Sequence, residues 1–407
     1  MTAARKPLHP ALTRRGTGIA ADGEFWMPTR ARFGRGIAGQ AAGHVQALGA
    51  RSVLLVTDPG VRAAGLTEPV QRDLTAAGIA VTVFDQVEPN PRDTDCVAGA
   101  DLARTGGHAA MVAVGGGSAI DTAKCIALLV TNGGQPRDWE DFGALRSDPL
   151  PVIALPTTAG TGSEVSPSAV ITDTARQKKM NLFDTRNCPR VALVDPDLTL
   201  SCPAPVTAAS GLDALSHAVD ALHCLLATPA SDALALEGAR LVGLYLRCAY
   251  RDPAGIEARC GMAQASLTAG LAVGLTDVAG AHALAEAMGG LYGHPHGYCC
   301  AVSMPPVMEY NLPACTAKYA RLAAALGVAA PGPDEASQAR AAIAAVRRLN
   351  ADLGVPSMGD LIRAGDLAAL GRKAEHNTST PSNPVAAMAA DYEQMFAREL
   401  ARSPEPA

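Results

Sequence analysis

The chain has 407 residues, 48% of them hydrophobic, which is enough for a large core spread over about two or three domains. A net charge of -5 leaves no cationic footprint for nucleic acid or an anionic membrane surface. Ten cysteines without a CxxC pair argue against a zinc ribbon or a disulfide framework and for a reduced, cytoplasmic protein.

The basic start, MTAARKPLHPALTRRGTG, has no apolar run after Arg14-Arg15, so residues 1–29 are read as a partly flexible segment, not a secretory signal. No apolar run reaches the roughly 18 residues of a membrane span. From there the chain alternates short apolar runs with helical patterns. SVLLVTD (52–58) is a buried strand, Thr67 to Ala77 a helix that Gly78 ends, and VTVFD (81–85) the next strand. AAMVAVGGGS (109–118) runs from a strand into a glycine turn, and PVIALPTT (151–158) and VALVDPD (191–197) continue the series. Such alternation specifies a parallel α/β sheet. After Asp197 the texture becomes Ala/Leu-rich and helical, at 231–250, 256–273, 316–326 and 334–353. The expected architecture is an α/β dinucleotide-binding domain over 1–197, with a Rossmann-like parallel sheet, and an all-helical domain over 198–407. The last residues, ARSPEPA, are expected to fray.

Two glycine-rich turns follow strands. Gly115-Gly116-Gly117 precede Ser118 at a helix start, where exposed N–H groups and the helix terminus favour a phosphate. Taken alone, this is equally well a tight turn, and it is neither GxGxxG nor a P-loop. The second, LPTTAGTGSEVSPSAVITD (155–173), lies after another strand of the same sheet. Two such loops at strand ends point to a nucleotide. Asp58, at the end of the first strand, can bind ribose hydroxyls and repel a 2′-phosphate, which favours NAD over NADP.

In GLDALSHAVDALH (211–223), Leu212, Leu215, Ala218, Val219 and Leu222 form an apolar stripe, yet Asp213 and His217 share a face four residues apart. His282 and Glu286 form a second such pair. His294 and His296 follow the Gly289-Gly290 break, where extended backbone would point both to one side. Singly, each histidine reads as a hydrogen-bonded core residue. Together, Asp213, His217, His282 and one of His294 or His296 make an Asp-His₃ site for a divalent metal, with Fe²⁺ and Zn²⁺ both compatible.

The motifs GGGSAIDTAK, PTTAGTGSE, VDPDL, GLDALSHAVD and GHPHG…PPVMEYN, in this order, resemble the iron-containing (group III) alcohol dehydrogenase family over nearly the whole chain. The resemblance implies a dehydroquinate synthase-like architecture with the active site in a cleft between the domains. It implies metal ligands at Asp213, His217, His282 and His296, choosing His296 because that residue lies in Pro-His-Gly. It implies cofactor contacts at Asp58, Asn90, Gly116, Gly117, Ser118, Asp121, Thr157, Thr158, Ser163 and Lys179. The implied activity is metal-dependent, NAD(H)-linked hydride transfer between nicotinamide and a small aldehyde or primary alcohol, in a homodimer. The sequence departs from the family where a second histidine usually follows the ligand at 282 by one turn: here it is Glu286, expected to work with His282 as a catalytic or substrate-pocket group. Val273 also replaces a usual aromatic. The segment SHAVDALHCLLATPASDALALEGARL also resembles the metal-free maleylacetate reductases, but the retained Asp213 argues for a metal. A non-catalytic nucleotide or metal sensor is the reading of a different class, with Glu286 marking lost catalysis.

Overall fold

The structure is a computed structural model that describes residues 25–140, 143 and 145–402. The expected N-terminal tail up to residue 24 and the end beyond 402 lie outside the described residues.

The first half is strand and helix in alternation: β1 (Arg30–Phe33), α1 (Ala41–Ala47), β2 (Ser52–Val56), α2 (Pro59–Ala63), α3 (Glu68–Ala76), β3 (Ala80–Phe84), α4 (Asp93–Thr105), β4 (Ala110–Gly115), α5 (Gly117–Asn132) and β5 (Val152–Pro156). Then come β6 (Ser168–Asp173), β7 (Lys178–Phe183) and β8 (Val191–Val194). Six strands form one sheet in the order β1-β8-β5-β4-β2-β3, and every neighbouring pair is parallel. The Val/Ile/Leu/Ala runs of β4, β5 and β8 are buried on both faces, as a helix-covered parallel sheet requires. The strand order reverses around β2, because β3 lies on one side of it and β4 on the other. That switch is where an open α/β sheet leaves a ligand crevice beyond its carboxyl ends.

Two features are absent from the sequence reading. β1, RARF, alternates nothing and is an edge strand paired only to β8. β6 and β7 form an antiparallel hairpin, so the last six residues of the hydroxyl-rich segment 155–173 are strand and not loop. Its alternation is short: Ala169, Ile171 and Asp173 point inward.

The second half contains α6 (Ala204–His223), α7 (Pro229–Arg251), α8 (Ile256–Gly274), α9 (Gly280–Tyr292), α10 (His296–Ala325), α11 (Glu335–Asp352), α12 (Met358–Leu361), α13 (Leu367–Glu375) and α14 (Ala389–Ala401). Among the described residues no strand follows β8. Here α6 carries no stripe: every residue from Gly211 to His223 is buried, because α7, α8, α9 and α10 pack around it. The helix at 316–326 is the end of a 30-residue α10 that runs through Pro305, Pro306 and Pro313. Prolines break an exposed helix, but here Met304, Val307 and Met308 are fully buried and tertiary packing holds the segment.

The loop after β5 seats on α6 and α8 through backbone. Gly162 has φ +60, and a Cβ there would lie 2.4 Å from Cα of Gly270; a Cβ on Gly270 would lie 2.6 Å from Cα of Gly162. A Cβ on Gly160 would likewise lie 2.4 Å from the Ser210 carbonyl oxygen. The glycines of TAGTG therefore allow helix and loop to touch. Gly270→Ala is expected to cost about 1–3 kcal/mol through backbone separation, read as a lowered midpoint in thermal or urea unfolding, whereas Gly39→Ala, where a Cβ meets nothing within 4 Å, should leave the midpoint unchanged.

Candidate metal centre

Three helices converge on one point. Asp213 comes from the middle of α6, His282 from the first turn of α9 and His296 from the first residue of α10. The Asp213 carboxylate is 3.9 Å from His282 Nε2 and 3.7 Å from His296 Nε2. Asp213 Oδ1 and His282 Nε2 are buried and have no hydrogen-bond partner. Those separations are too long for hydrogen bonds, and they suit donors that share one cation at about 2.0–2.2 Å each. Leaving a buried carboxylate and imidazole unpaired is otherwise costly. The residues therefore fit a bound divalent metal. Cys300 completes a group of four whose ligand atoms lie within 4.8 Å of one another.

His217 stacks on His282, with centroids 4.8 Å apart and planes 17° from parallel. Its Nδ1 is 3.3 Å from the Gly160 carbonyl, so Nε2 is the nitrogen left for any ligand role, although His217 is not among the four donors that cluster most tightly. His294 is elsewhere. α9 continues through Gly289-Gly290 to Tyr292, Gly293 ends it in the left-handed region, and His294 Nε2 sits 2.8 Å from the Leu361 carbonyl. The expectation that His294 and His296 share a side fails because a helix end, not a strand, separates them.

Electrostatics follow the geometry. Burial alone would raise the Asp213 carboxyl, but His217, His296 and His282 hold it below the ordinary carboxylate range. Burial lowers His217, and burial together with the nearby Lys179 charge pushes His296 well down, so both favour the neutral imidazole that a metal binds.

A residue that the sequence reading left without a role organises this cluster. Asp220 Oδ2 accepts from His282 Nδ1 at 2.7 Å, from Ala279 N at 2.9 Å and from His282 N at 3.2 Å. Its other oxygen is 3.0 Å from His223 Nε2, and His223 Nδ1 is 2.9 Å from the Tyr319 hydroxyl. Burial opposes the charge on Asp220, yet hydrogen bonds from His223 and His282 hold its carboxyl far below the usual range. The signal was present: Asp220 lies seven residues, two turns, after Asp213.

On the nucleotide side, β2, β4 and β5 are neighbours, so Asp58, Gly116 and Thr157-Thr158 line adjacent strand ends. Asp58 Oδ1 caps α2 by accepting from Val61 N at 2.9 Å. Gly116 and Gly117 open α5, followed by Ser118, and Thr157 N donates to the Gly115 carbonyl at 3.0 Å. Asp121 and Ser163 hydrogen-bond to each other. The fully buried Lys124 donates to Ser163 Oγ at 2.9 Å and to the Ser166 and Ser168 carbonyls at 3.0 and 2.8 Å, which staples the loop to α5. Asn90, at φ 58, reaches the Gly293 carbonyl at 3.4 Å, and Lys179 packs against Gly289 on α9. Glu286 is half-buried one turn after His282, and its Oε2 accepts from Asn377 Nδ2 at 2.5 Å.

The family model "Iron-containing alcohol dehydrogenase" matches residues 28–196, and "Fe-containing alcohol dehydrogenase family, C-terminal" matches residues 207–400. The NAD-dependent methanol dehydrogenase of Bacillus methanolicus is 38% identical over 380 residues, covering 92% of this chain and 99% of that protein. The choline dehydrogenase of Bacillus subtilis is 38% identical over 366 residues, covering 88% and 90%. The crystal structure of a 1,3-propanediol oxidoreductase superposes with a TM-score of 0.90 at 36% identity, over 93% of this chain and 100% of that one.

If Asp220 orients His282, Asp220→Asn should weaken metal binding by roughly 10–100-fold, measured by competition with a chromogenic chelator. Unchanged metal affinity would reduce Asp220 to a helix-packing residue.

Proposed function

Because the chain belongs to the iron-containing alcohol dehydrogenase family, we propose that it is a metal-dependent, NAD(H)-linked alcohol dehydrogenase that interconverts small primary alcohols and aldehydes. The observation that carries this reading is the pair of buried, unpartnered donors, Asp213 and His282, with the His296 ring 3.7 Å from the same carboxylate, beside a loop of a nucleotide-type sheet. The Gly160 carbonyl on that loop lies 3.3 Å from His217. The division at about residue 197 then separates a cofactor-binding half from a metal-binding half.

The bound Fe²⁺ or Zn²⁺ supplies a Lewis acid for the substrate oxygen, and the nicotinamide supplies or accepts the hydride. The chain does the rest by position. Asp213, His217, His282 and His296 are assigned as the ligands. Gly116, Gly117 and Ser118 offer backbone N–H groups at the start of α5 for the pyrophosphate. Asp58, Asn90, Asp121, Thr157, Thr158, Ser163 and Lys179 are assigned to the cofactor crevice. Of these, Lys179 is the one whose charge is felt at His296.

Glu286 lines the substrate side of the metal in this reading. It is on the same face of α9 as His282, and Asn377 fixes its carboxylate. An acidic wall suits a hydroxyl compound that carries a positive charge or further hydroxyls, such as the choline and propanediol that name two of the relatives.

A cytoplasmic location and a homodimer complete the proposal. All ten cysteines are free, as in a reducing compartment, and no helix among the described residues is long and apolar enough to cross a membrane. The edge strand β1 exposes Phe33, with exposed Phe25 and Met27 just before it, an apolar edge that a second copy could cover. Size-exclusion chromatography with light scattering tests the dimer.

The expected result for protein purified without chelator is about one Fe²⁺ or Zn²⁺ per chain and NADH oxidation with short aldehydes. Asp213→Ala combined with His217→Ala should abolish both; full turnover without metal would overturn the reading. Glu286→Gln should raise KM for a cationic alcohol such as choline by about tenfold, with a smaller change for a neutral alcohol of similar size. Equal KM changes for both would remove Glu286 from substrate recognition.

A further inference from the structure

The metal cluster contains a thiol that the Asp-His₃ assignment does not use. Cys300 lies one turn after His296 on α10, so the two side chains project from one helix face into the same space. Its Sγ is 3.5 Å from His296 Nε2, and its ligand atom lies within 4.8 Å of those of Asp213, His282 and His296. The residue is fully buried, so water does not compete for the sulfur. Its neighbour Cys299 is equally buried but is not among the four clustered donors.

We propose that Cys300 is a metal ligand of this chain, giving the site a mixed nitrogen, oxygen and sulfur donor set. The inference rests on the metal-dependent reading above and goes beyond it by adding a donor to the four residues assigned there. On binding, the Sγ–H bond breaks, the sulfur lone pair bonds to the cation and the proton passes to solvent; no redox change is involved. A thiolate is a softer donor than imidazole or carboxylate. It shifts preference away from Mg²⁺ and Mn²⁺ and, relative to an all-N/O site, towards Zn²⁺.

The pattern across the helices supports this assignment. Asp213 with His217 on α6, His282 with Glu286 on α9 and His296 with Cys300 on α10 are each i,i+4 pairs. From these pairs Asp213, His282, His296 and Cys300 bring their ligand atoms within 4.8 Å of one another, and α10 is the helix that supplies both of its members.

The test is the optical spectrum of the apoprotein loaded with Co²⁺. The wild-type protein should bind about one Co²⁺ per chain and show a near-ultraviolet thiolate-to-cobalt charge-transfer band beside the visible ligand-field bands. Cys300→Ser should lose the charge-transfer band, keep ligand-field absorption and bind Zn²⁺ on the order of tenfold more weakly or worse in chelator competition. Cys299→Ser should keep the band. Stoichiometric Co²⁺ with ligand-field bands but no charge transfer in the wild type would overturn the proposal and leave the metal-dependent reading intact. No Co²⁺ or Zn²⁺ binding by the wild type would overturn both. The wild-type spectrum decides even if the serine variant fails to fold.

Discussion

The carboxylate of Asp220 is the contact on which the helical half depends. It sits inside a helix with no solvent face, and one of its oxygens accepts two backbone N–H groups at the start of α9 together with His282 Nδ1. Those bonds satisfy donors that a helix N-terminus leaves free, place a negative charge where the helix dipole favours it and fix which nitrogen of His282 faces the cluster. One buried anion thus joins α6 to α9 and also orients a ligand. Its remaining oxygen meets His223, which Tyr319 braces in turn, so the charge is spread over a connected network and not left isolated in the core.

The same physics explains why α6 tolerates two carboxylates. Asp213 and Asp220 are both buried among apolar neighbours, and burying an ion without a partner costs several kcal/mol. Asp220 has its partners within the protein. Asp213 has an oxygen with none, surrounded by imidazoles at distances that no hydrogen bond spans. The pair differs in surroundings: Asp220 shares its charge with a helix start and two histidines, whereas the imidazoles nearest Asp213 stand beyond hydrogen-bond distance, where a cation would complete it.

Much of this was legible in the sequence because it rests on local periodicity. Strands β2, β3, β4, β5 and β8 were readable as apolar runs bounded by turn residues, and the i,i+4 spacing of Asp213/His217 and His282/Glu286 marked a site before any coordinates. What was not legible depends on contacts distant in the chain. β1 carries two arginines in four residues and exists only because β8 offers it a partner. The β6–β7 hairpin is hidden in a segment whose hydroxyls and glycines suggest loop. α10 runs through three prolines because its buried flank outweighs their local preference. The expectation that His294 and His296 share a side failed for the opposite reason: Gly289-Gly290 reads as a break, whereas packing carries the helix on to Gly293. Cys300 was read only as one of ten scattered thiols, although its spacing from His296 is the same signal that found the other two pairs.

The loop after β5 shows how the halves are made to act together. At its start, Thr157 bonds the end of β4, where the cofactor's phosphates are assigned. In its middle, the Gly160 carbonyl meets His217, and Gly162 lies backbone to backbone with Gly270 of α8. Beyond that, Lys124 holds Ser163, Ser166 and Ser168 against α5. A loop fixed at so many points cannot move its cofactor-facing end without disturbing its ligand-facing middle. In the proposed reaction the nicotinamide and the substrate carbon would have to meet at near-contact distance and in fixed orientation. A single loop tied to β4, α5, α6 and α8 would set that distance in the proposed reaction, so the small residues of TAGTG would serve it through packing and not through flexibility.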